Sequence, residues 1–278
     1  MPLLPRDDAG EAGAPKRSRR PPVLKKYGQH FLSDERILSG IVNALGPTAS
    51  DTVIEIGPGR GSLTELLAKR CRRLIAIEID RALAEQLVVK YSGRPNVEIV
   101  QSDVLETDLH ALAGSEFLLI GNVPYNITTP IVFKTLEPPI PRRSVFLVQR
   151  EVAERMAAKE DTESYGALSV NVAVVANTEM VMSVPPSAFK PPPKVDSTVV
   201  RITPRETPLV PLEVLPGFRT FVQAAFSLRR KQMQKVLRTI RAISPVEAGT
   251  ILERAGIEAT ARPEVVSPQA FARLYELL

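Results

Sequence analysis

A short polar motif, Asn122-Val123-Pro124-Tyr125, follows the apolar run at residues 117–120, which is typical of a buried strand. Pro124 fixes its own φ angle and pushes the preceding residue toward an extended conformation. The Asn122 side-chain oxygen and the Val123 carbonyl can then face one point, with the Tyr125 ring as a stacking plane. Two acceptors beside a ring suit a flat base that carries an exocyclic amine, although Asn and Pro are also common in ordinary turns.

A glycine-rich turn, Gly57-Pro58-Gly59-Arg60-Gly61, follows the apolar segment 52–56 and precedes a helical pattern. Strand, glycine turn and helix form the first unit of a doubly wound α/β sheet, and glycines let the backbone approach a ligand closely. Glu78 ends the second apolar segment at about the spacing where an acid binds ribose hydroxyls. Asp103, just beyond the third, can accept a hydrogen bond from an adenine amino group. Dinucleotide enzymes and methyltransferases share this pattern.

The elements that must position these residues follow from periodicity and from turn signals. Ser33 predicts the N-cap of a first helix, and Ser62 with Glu65 has the spacing of a capping box. Residues 165–176 are apolar and ambiguous between helix and strand. A proline-stiffened loop at 185–196 can hold Phe189 rigidly at a pocket rim, or serve only as a structural connection. Strands are predicted at residues 52–56, 74–78, 97–101, 117–120, 145–148, 179–184 and 197–202.

Both ends of the chain are basic. Residues 1–22 have the composition of a disordered segment, and their basic cluster can contact phosphates or form a solvated tail. Beyond a proline-rich link at 204–216 the pattern is helical. The stretch 229–238 is predicted to lie on a helix, and its charges favour contact with a nucleic-acid backbone over a merely solvated face. The cations that carry this prediction are Arg229, Arg230 and Lys231.

Composition narrows the class of protein. The 278-residue chain has a net charge of +5, which favours a polyanionic partner weakly. Its single cysteine excludes an internal disulfide, and its two histidines argue against a Cys/His zinc site or a Ser-His-Asp hydrolase. No apolar run reaches the length of a membrane span, and the N-terminus lacks a secretory signal core. A cytoplasmic protein without a membrane partner is expected.

From about Lys26 to the C-terminus, the chain resembles the ribosomal RNA adenine dimethyltransferases that modify the small subunit. The Asn-x-Pro-Tyr motif narrows the choice to amino methyltransferases, and the proline loop with Phe-x-x-Arg-Arg-Lys is specific to this family. Val123 stands where the family often has leucine or isoleucine, but only its backbone carbonyl is needed. The matching segments are Gly28-Gln29-His30-Phe31-Leu32, residues 55–61, residues 122–125, Phe189 with its loop through Ser197, and Ala225-Phe226 followed by Arg229-Arg230-Lys231.

The resemblance implies a Rossmann-like class I methyltransferase sheet with helices on both faces at residues 23–205, plus a small all-α C-terminal domain at 206–278. It also implies S-adenosylmethionine as methyl donor, without a metal. The resemblance implies that His30 and Leu32 lie beside the methionine part of the cofactor and Gly57 lies under it. It implies that Glu78 binds the ribose and Asp103 the adenine. Asn122 is then at the transfer point, with Tyr125 and Phe189 around the target base.

The implied activity is dimethylation of N6 on two adjacent adenosines in a hairpin near the 3′ end of 16S rRNA. The implied partner is the immature small ribosomal subunit, and a monomer is the default state. Four alternatives stay open on sequence alone: a large-subunit adenine methyltransferase of the antibiotic-resistance kind, a DNA adenine methyltransferase, a factor that acts chiefly in ribosome assembly, and a dinucleotide oxidoreductase.

Overall fold

The structure, a computed structural model, describes residues 30–114 and 116–278. The prediction of a disordered basic arm at 1–22 lies outside the described residues. The strands are β1 Phe31–Leu32, β2 Thr52–Ile56, β3 Arg73–Glu78, β4 Val97–Gln101, β5 Leu118–Asn122, β6 Arg143–Gln149, β7 Ala176–Val184, β8 Phe189–Lys190 and β9 Ser197–Pro204. The helices are α1 Glu35–Leu45, α2 Ser62–Leu67, α3 Arg81–Tyr91, α4 Leu109–Ala113, α5 Thr128–Thr135, α6 Arg150–Ala157, α7 Ala167–Ala173, α8 Leu215–Ser227, α9 Met233–Arg241, α10 Pro245–Ala255 and α11 Pro268–Glu276.

The centre of the fold is a seven-stranded sheet in the order β4-β3-β2-β5-β6-β9-β7. The first five strands are parallel, and β9 runs antiparallel to both of its neighbours. Every residue of β2 is buried, because helices cover both faces of the sheet. Val53 packs into one apolar cluster with α1 and α2, whereas Ile54 packs into the opposite one with α5 and α7. The predicted α/β sheet with helices on both faces is confirmed.

The strand order creates a topological switch point between β2 and β5. The chain leaves β2 toward β3 and β4 on one side, and it returns to β5 and β6 on the other. Ile56 pairs with Gly121, so the glycine turn after β2 and Asn122 at the end of β5 lie side by side. Ligands of open α/β sheets bind in the crevice at such a point. Two motifs that are 65 positions apart in sequence therefore meet at one edge of the sheet.

Two predicted helix starts are wrong in detail. Asp34, not Ser33, caps α1, because its carboxylate accepts hydrogen bonds from the backbone N–H groups of Arg36 and Ile37. The capping box at Ser62 does not form, since Gly61 occupies the N-cap position in a left-handed conformation with no side-chain cap. The ambiguous segment 165–176 contains α7 and then the first residue of β7.

The predicted basic helix at 229–238 is also wrong over its first part. Helix α8 ends at Ser227, and Arg229 to Lys231 lie in a turn before α9 begins at Met233. The backbone N–H of Met233 donates to the carbonyl of Ala261 at 2.7 Å, so the start of α9 is fixed by a tertiary contact that periodicity cannot reveal.

The C-terminal helices share the core of the sheet. One apolar cluster runs from Ile54 in β2 to Phe218 in α8 and Leu274 in α11. The Tyr165 hydroxyl, which is buried, donates to the carbonyl of Val266 at 2.7 Å across this contact. The division of the chain at 205/206 stays a prediction, and the two parts pack as one body of apolar side chains.

Candidate active site

A cavity of about 960 Å³, including the part open to solvent, lies over the carboxyl ends of β2, β3 and β5. It brings together most of the residues that the sequence singled out, from segments that span more than 90 positions. The predicted residues that line it are His30, Leu32, Gly57, Glu78, Asp103, Asn122, Val123, Pro124 and Tyr125.

The glycine turn forms one wall because its backbone adopts conformations that favour glycine. Gly57 and Gly59 have φ angles of +65° and +57°. A Cβ atom on Gly59 would lie 3.0 Å from Cε1 of Phe31, which also lines the cavity. The Gly59 N–H donates to Oε2 of Glu78 at 2.9 Å, so the turn and the end of β3 are held together.

Two acidic residues line the cavity at the ends of successive strands. Glu78 is buried, and its Oε1 accepts a hydrogen bond from the backbone N–H of Asp80 at 3.0 Å. Burial raises the pKa of Glu78, although hydrogen bonds from the N–H groups of Asp80 and Gly59 oppose the shift. Asp103 accepts from the backbone N–H of Leu105 through Oδ1 at 2.9 Å. Both carboxyl groups are therefore oriented by backbone donors rather than by cations.

A third acid, Glu55, has the properties of a ligand group. It is 1% exposed, it lines the cavity, and its Oε2 has no hydrogen-bond partner among the residues that the structure describes. Burial, reinforced by the nearby Glu78, raises the pKa of Glu55 to about 8. An orphaned buried carboxyl beside a second one suits a ligand that carries positive charge. S-adenosylmethionine, with its sulfonium, its ammonium and its ribose hydroxyls, fits this set of donors and acceptors.

The side chain of Asn122 is oriented by a residue near the start of the described chain. Its Nδ2 donates to the backbone carbonyl of His30 at 3.1 Å. With the amino end of the amide used in this way, Oδ1 is the acceptor that remains for a ligand. The side chain of Val123 is buried in the apolar core, which agrees with the expectation that only its backbone is needed.

Tyr125 is held as a fixed ring at the same place. Its hydroxyl lies 2.7 Å from Oγ of Ser197, and its ring is stacked with that of His30 at a centroid distance of 5.9 Å and an interplanar angle of 25°. Burial raises the pKa of the Tyr125 hydroxyl, so the phenol is neutral near pH 7. A neutral, rigid ring at this position suits stacking rather than acid–base chemistry.

Phe189 is not at the rim of the cavity. It is 2% exposed and does not line the cavity, because β8 pairs with β1 and places Phe189 opposite Leu32. Directly beside this ladder, Nδ1 of His30 lies 2.9 Å from the carbonyl of Pro191. The proline loop thus fixes the segment that covers the cavity, and contact of Phe189 with a target base stays a prediction.

The three predicted RNA-binding cations differ in their surroundings. Arg229 donates to Oε2 of Glu264 at 2.6 Å, so it takes part in an ion pair within the C-terminal helices. Arg230 and Lys231 are exposed in the turn between α8 and α9. Of the three, these two present the more accessible charges.

Several residues that line the cavity or support it were given no role by the sequence interpretation. The guanidinium of Arg60 lies 4.3 Å from the centroid of the Phe31 ring, and both residues line the cavity. Ile79 also lines it and is partly exposed, directly after Glu78. Ser197 holds Tyr125 from β9. Arg60 lies within the recognised glycine turn and Ile79 directly follows Glu78, so the sequence gave a signal for both. The Tyr125–Ser197 contact joins residues 72 positions apart and gave none.

Within residues 30–114 and 116–278, no group of three or more His, Cys, Asp or Glu side chains could hold a metal ion. In the same part of the chain, no helix combines the length and the apolar character needed to cross a membrane.

The chain is similar to the solved structures of two methyltransferases. The 23S rRNA methyltransferase ErmE is 31% identical, with a TM-score of 0.70, and the match covers 89% of this chain and 99% of that one. A dimethyladenosine transferase from Plasmodium falciparum is 27% identical, with a TM-score of 0.74, covering 88% and 96%. These likenesses confirm the class I methyltransferase fold.

Named relatives are similar to this chain over nearly the whole sequence. The "Ribosomal RNA small subunit methyltransferase A" of Shouchella clausii is 41% identical over 267 residues, which cover 92% of this chain and 90% of the relative. The protein of the same name from Acidobacterium capsulatum is 42% identical over 258 residues, covering 91% and 90%. The family model for "Ribosomal RNA adenine dimethylase" matches residues 23–278. This chain therefore belongs to the ribosomal RNA adenine dimethylase family.

Proposed function

We propose that the protein dimethylates N6 of two adjacent adenosines in a hairpin near the 3′ end of 16S rRNA, with S-adenosylmethionine as the methyl donor. Family membership and the names of the relatives support the substrate class. The observation that carries the chemistry is the orientation of Asn122, whose amide presents Oδ1 at the switch point beside Gly57. In this proposal the protein acts as a monomer in the cytoplasm, and its substrate is the immature small ribosomal subunit.

Residues on three strands would hold the cofactor. Glu78 would accept hydrogen bonds from the ribose hydroxyls, Asp103 from the adenine amine, and the Gly57 backbone would lie against the cofactor. His30 and Leu32 would cover the methionine part, since both line the cavity: Leu32 pairs with Phe189 in the β1–β8 ladder, and His30 contacts the carbonyl of Pro191 beside it. When bound, S-adenosylmethionine supplies an electrophilic methyl group on a sulfonium.

The chain's own residues act on the adenine amine. The lone pair of this amine is delocalised into the ring. Its attack on the sulfonium methyl group would form an N–C bond while the S–C bond breaks, which leaves positive charge on nitrogen until an N6 proton is released to solvent. Oδ1 of Asn122 and the carbonyl of Val123 would accept from the N–H groups and stabilise that charge, which is preorganised electrostatic catalysis. Tyr125 would stack on the base, a contact that contributes roughly 1–3 kcal/mol. Holding the amine in line with the methyl group supplies further acceleration.

The substrate must present an unpaired base, because the amine of a paired adenine is not free. Backbone contacts outside the cavity would then hold the RNA, and we assign these to Arg230 and Lys231 in the turn before α9. Arg229 contributes by fixing that turn to Glu264. Transfer of a second methyl group requires that the acceptors tolerate an N6-methyl group already in place.

The first prediction concerns Asn122. We expect Asn122→Ala to lose methyl transfer while it retains RNA binding, because the amide stabilises charge only as the reaction proceeds. Mass spectrometry of the 16S hairpin after incubation with S-adenosylmethionine measures transfer, and filter binding measures affinity. Asn177→Ala, at an exposed position on β7, is the matched control. Wild-type turnover in the Asn122 variant would remove this residue from the mechanism.

A second candidate function is methylation of the large subunit, which the likeness to the 23S rRNA methyltransferase ErmE favours. Incubation of the protein with isolated small and large subunits, with labelled methyl donor, separates the two. Label in the small subunit alone supports the proposed function, and label in the large subunit alone supports the second.

A further inference from the structure

A buried arginine joins the C-terminal helices to the helix that follows the Asn122 motif. Arg219 lies on α8 and is 8% exposed. Its Nη1 donates to Oε1 of Glu137 at 2.6 Å, and its Nη2 donates to the carbonyl of Phe133 at 3.1 Å. The guanidinium also lies 4.9 Å from the centroid of the Phe133 ring. Two of the contacts are made to Phe133, near the C-terminal end of α5, and the third is made to Glu137, two residues beyond that end.

The pairing fits the physical chemistry of a helix end. The carbonyls at the end of a helix carry partial negative charge, so a cation there is favourable. The Phe133 carbonyl accepts from the Arg219 guanidinium in addition to the backbone N–H of Leu136, which lies 3.1 Å away. Burial of the charge nevertheless has a cost, since the guanidinium loses its water and its Nε has no partner among the described residues. Buried ion pairs often add little net stability compared with apolar side chains of similar size. The main contribution of Arg219 is therefore expected to be the position of α5 rather than the stability of the fold.

Helix α5 is directly continuous with the Asn122 motif. The hydroxyl of Thr128, the first residue of α5, donates to the carbonyl of Pro124 at 3.2 Å, and the N–H of Ile127 donates to the same carbonyl at 3.1 Å. A shift of α5 would therefore be transmitted to the turn that carries Asn122. At its other end, α8 leads into the turn that contains Arg230 and Lys231.

We propose that Arg219 is a positioning residue, which fixes α5 and hence the Asn122 turn to the helices that hold the RNA. The inference rests on the proposed function for its kinetic consequence but not for its structural one. In catalysis, a misplacement of about 1 Å can lower the rate by roughly a hundredfold. Loss of the Arg219 contacts should accordingly lower kcat more than it weakens binding of either substrate.

The test compares Arg219→Met and Arg219→Lys with Arg273→Met as the matched control. Arg273 donates from Nε to the carbonyl of Ala255 at 3.1 Å, within the C-terminal helices and away from α5. The readouts are amide hydrogen exchange over residues 122–136, Tm, the affinity for S-adenosylmethionine, and kcat and KM with a 16S hairpin fragment. Hydrogen exchange is measured without RNA, so it does not depend on the proposed activity.

We expect Arg219→Met to exchange faster over 122–136 and to lower kcat by roughly tenfold, with KM for RNA and cofactor affinity within about twofold of wild type. Arg219→Lys, which keeps the charge but not the two-pronged contact, should fall between. Arg273→Met should change Tm alone. Unchanged exchange in Arg219→Met, or an equal kcat loss in Arg273→Met, would overturn the inference. A wild-type protein that does not methylate the hairpin would refute the proposed function, while the exchange result would still decide the role of Arg219.

Discussion

Glu55 is an unusual carboxyl group, because it is buried at the cavity and its Oε2 has no hydrogen-bond partner among the described residues. Desolvation and the neighbouring Glu78 raise its pKa to about 8, while the Thr64 side chain and the charge of Lys90 act in the opposite direction. The group is therefore mostly protonated at pH 7 in the free protein. A cationic ligand beside Glu55 would favour the ionised form, so binding of such a ligand would lower the pKa of this carboxyl.

The raised pKa of Glu55 makes the stability of the protein depend on pH. The pKa of Glu55 rises from about 4.5 to about 8 on folding, so above pH 4.5 the folded state binds more protons than the unfolded state. Its contribution to the free energy of unfolding must fall as the pH rises from 4.5 to 8. Glu55→Gln should remove this part of the pH dependence. The free energy of unfolding of this variant, compared with that of wild type, should therefore be more favourable at pH 8 than at pH 5.

Urea denaturation of the cofactor-free protein between pH 5 and pH 9 measures the effect. Glu98→Gln, the same chemical change at an exposed residue that pairs with Arg73, is the matched control. If the stability of Glu55→Gln and of wild type changed in parallel over this pH range, Glu55 would not be the buried acid that the structure describes.

At the scale of elements, the sequence predicted the parallel strands well, because β2, β3 and β5 are mainly apolar segments followed by or ending at a polar or glycine residue. It could not reveal the β1–β8 ladder, since each strand has two residues and their partners lie more than 150 positions apart. For the same reason, the bond from Asn122 to the His30 carbonyl was not predictable from local pattern. Residue types at the site follow from sequence, whereas their orientation depends on these long-range contacts.

The turn between α8 and α9 gives a prediction for RNA binding. Arg230→Glu and Lys231→Glu should each weaken binding and reduce the salt slope by about 0.7–0.9, because each removes one phosphate contact. Filter binding of a 16S hairpin fragment at several salt concentrations measures the slope. Arg254→Glu, an exposed arginine in the last turn of α10, makes the same charge change elsewhere in the C-terminal helices. A slope that changes equally in all three variants would indicate a general charge effect and remove the turn from the interface.

At the scale of the whole molecule, the predicted boundary at 205/206 crosses a continuous apolar core. Phe218, Phe271 and Leu274 are fully buried in the same cluster as residues of the sheet and of α7. Composition and prolines marked the change from mixed α/β to helical pattern, but packing between the two parts is a tertiary property that no local pattern reports. A shared core makes cooperative unfolding of both parts the physical expectation.

This expectation is tested by removal of residues 206–278. The fragment 1–205 would expose the apolar faces that α8 and α11 cover, and each large side chain that loses its burial forfeits about 1.5–3 kcal/mol. We expect the full chain to unfold in one calorimetric transition and the fragment to melt roughly 10 °C lower or more, with binding of a hydrophobic dye. Tyr165→Phe, which removes only the hydrogen bond to Val266, should lower Tm by a few degrees and keep the single transition. A fragment that melts cooperatively at the Tm of the full chain and binds S-adenosylmethionine would instead show that residues 23–205 form an independent domain, with the shared core dispensable for folding.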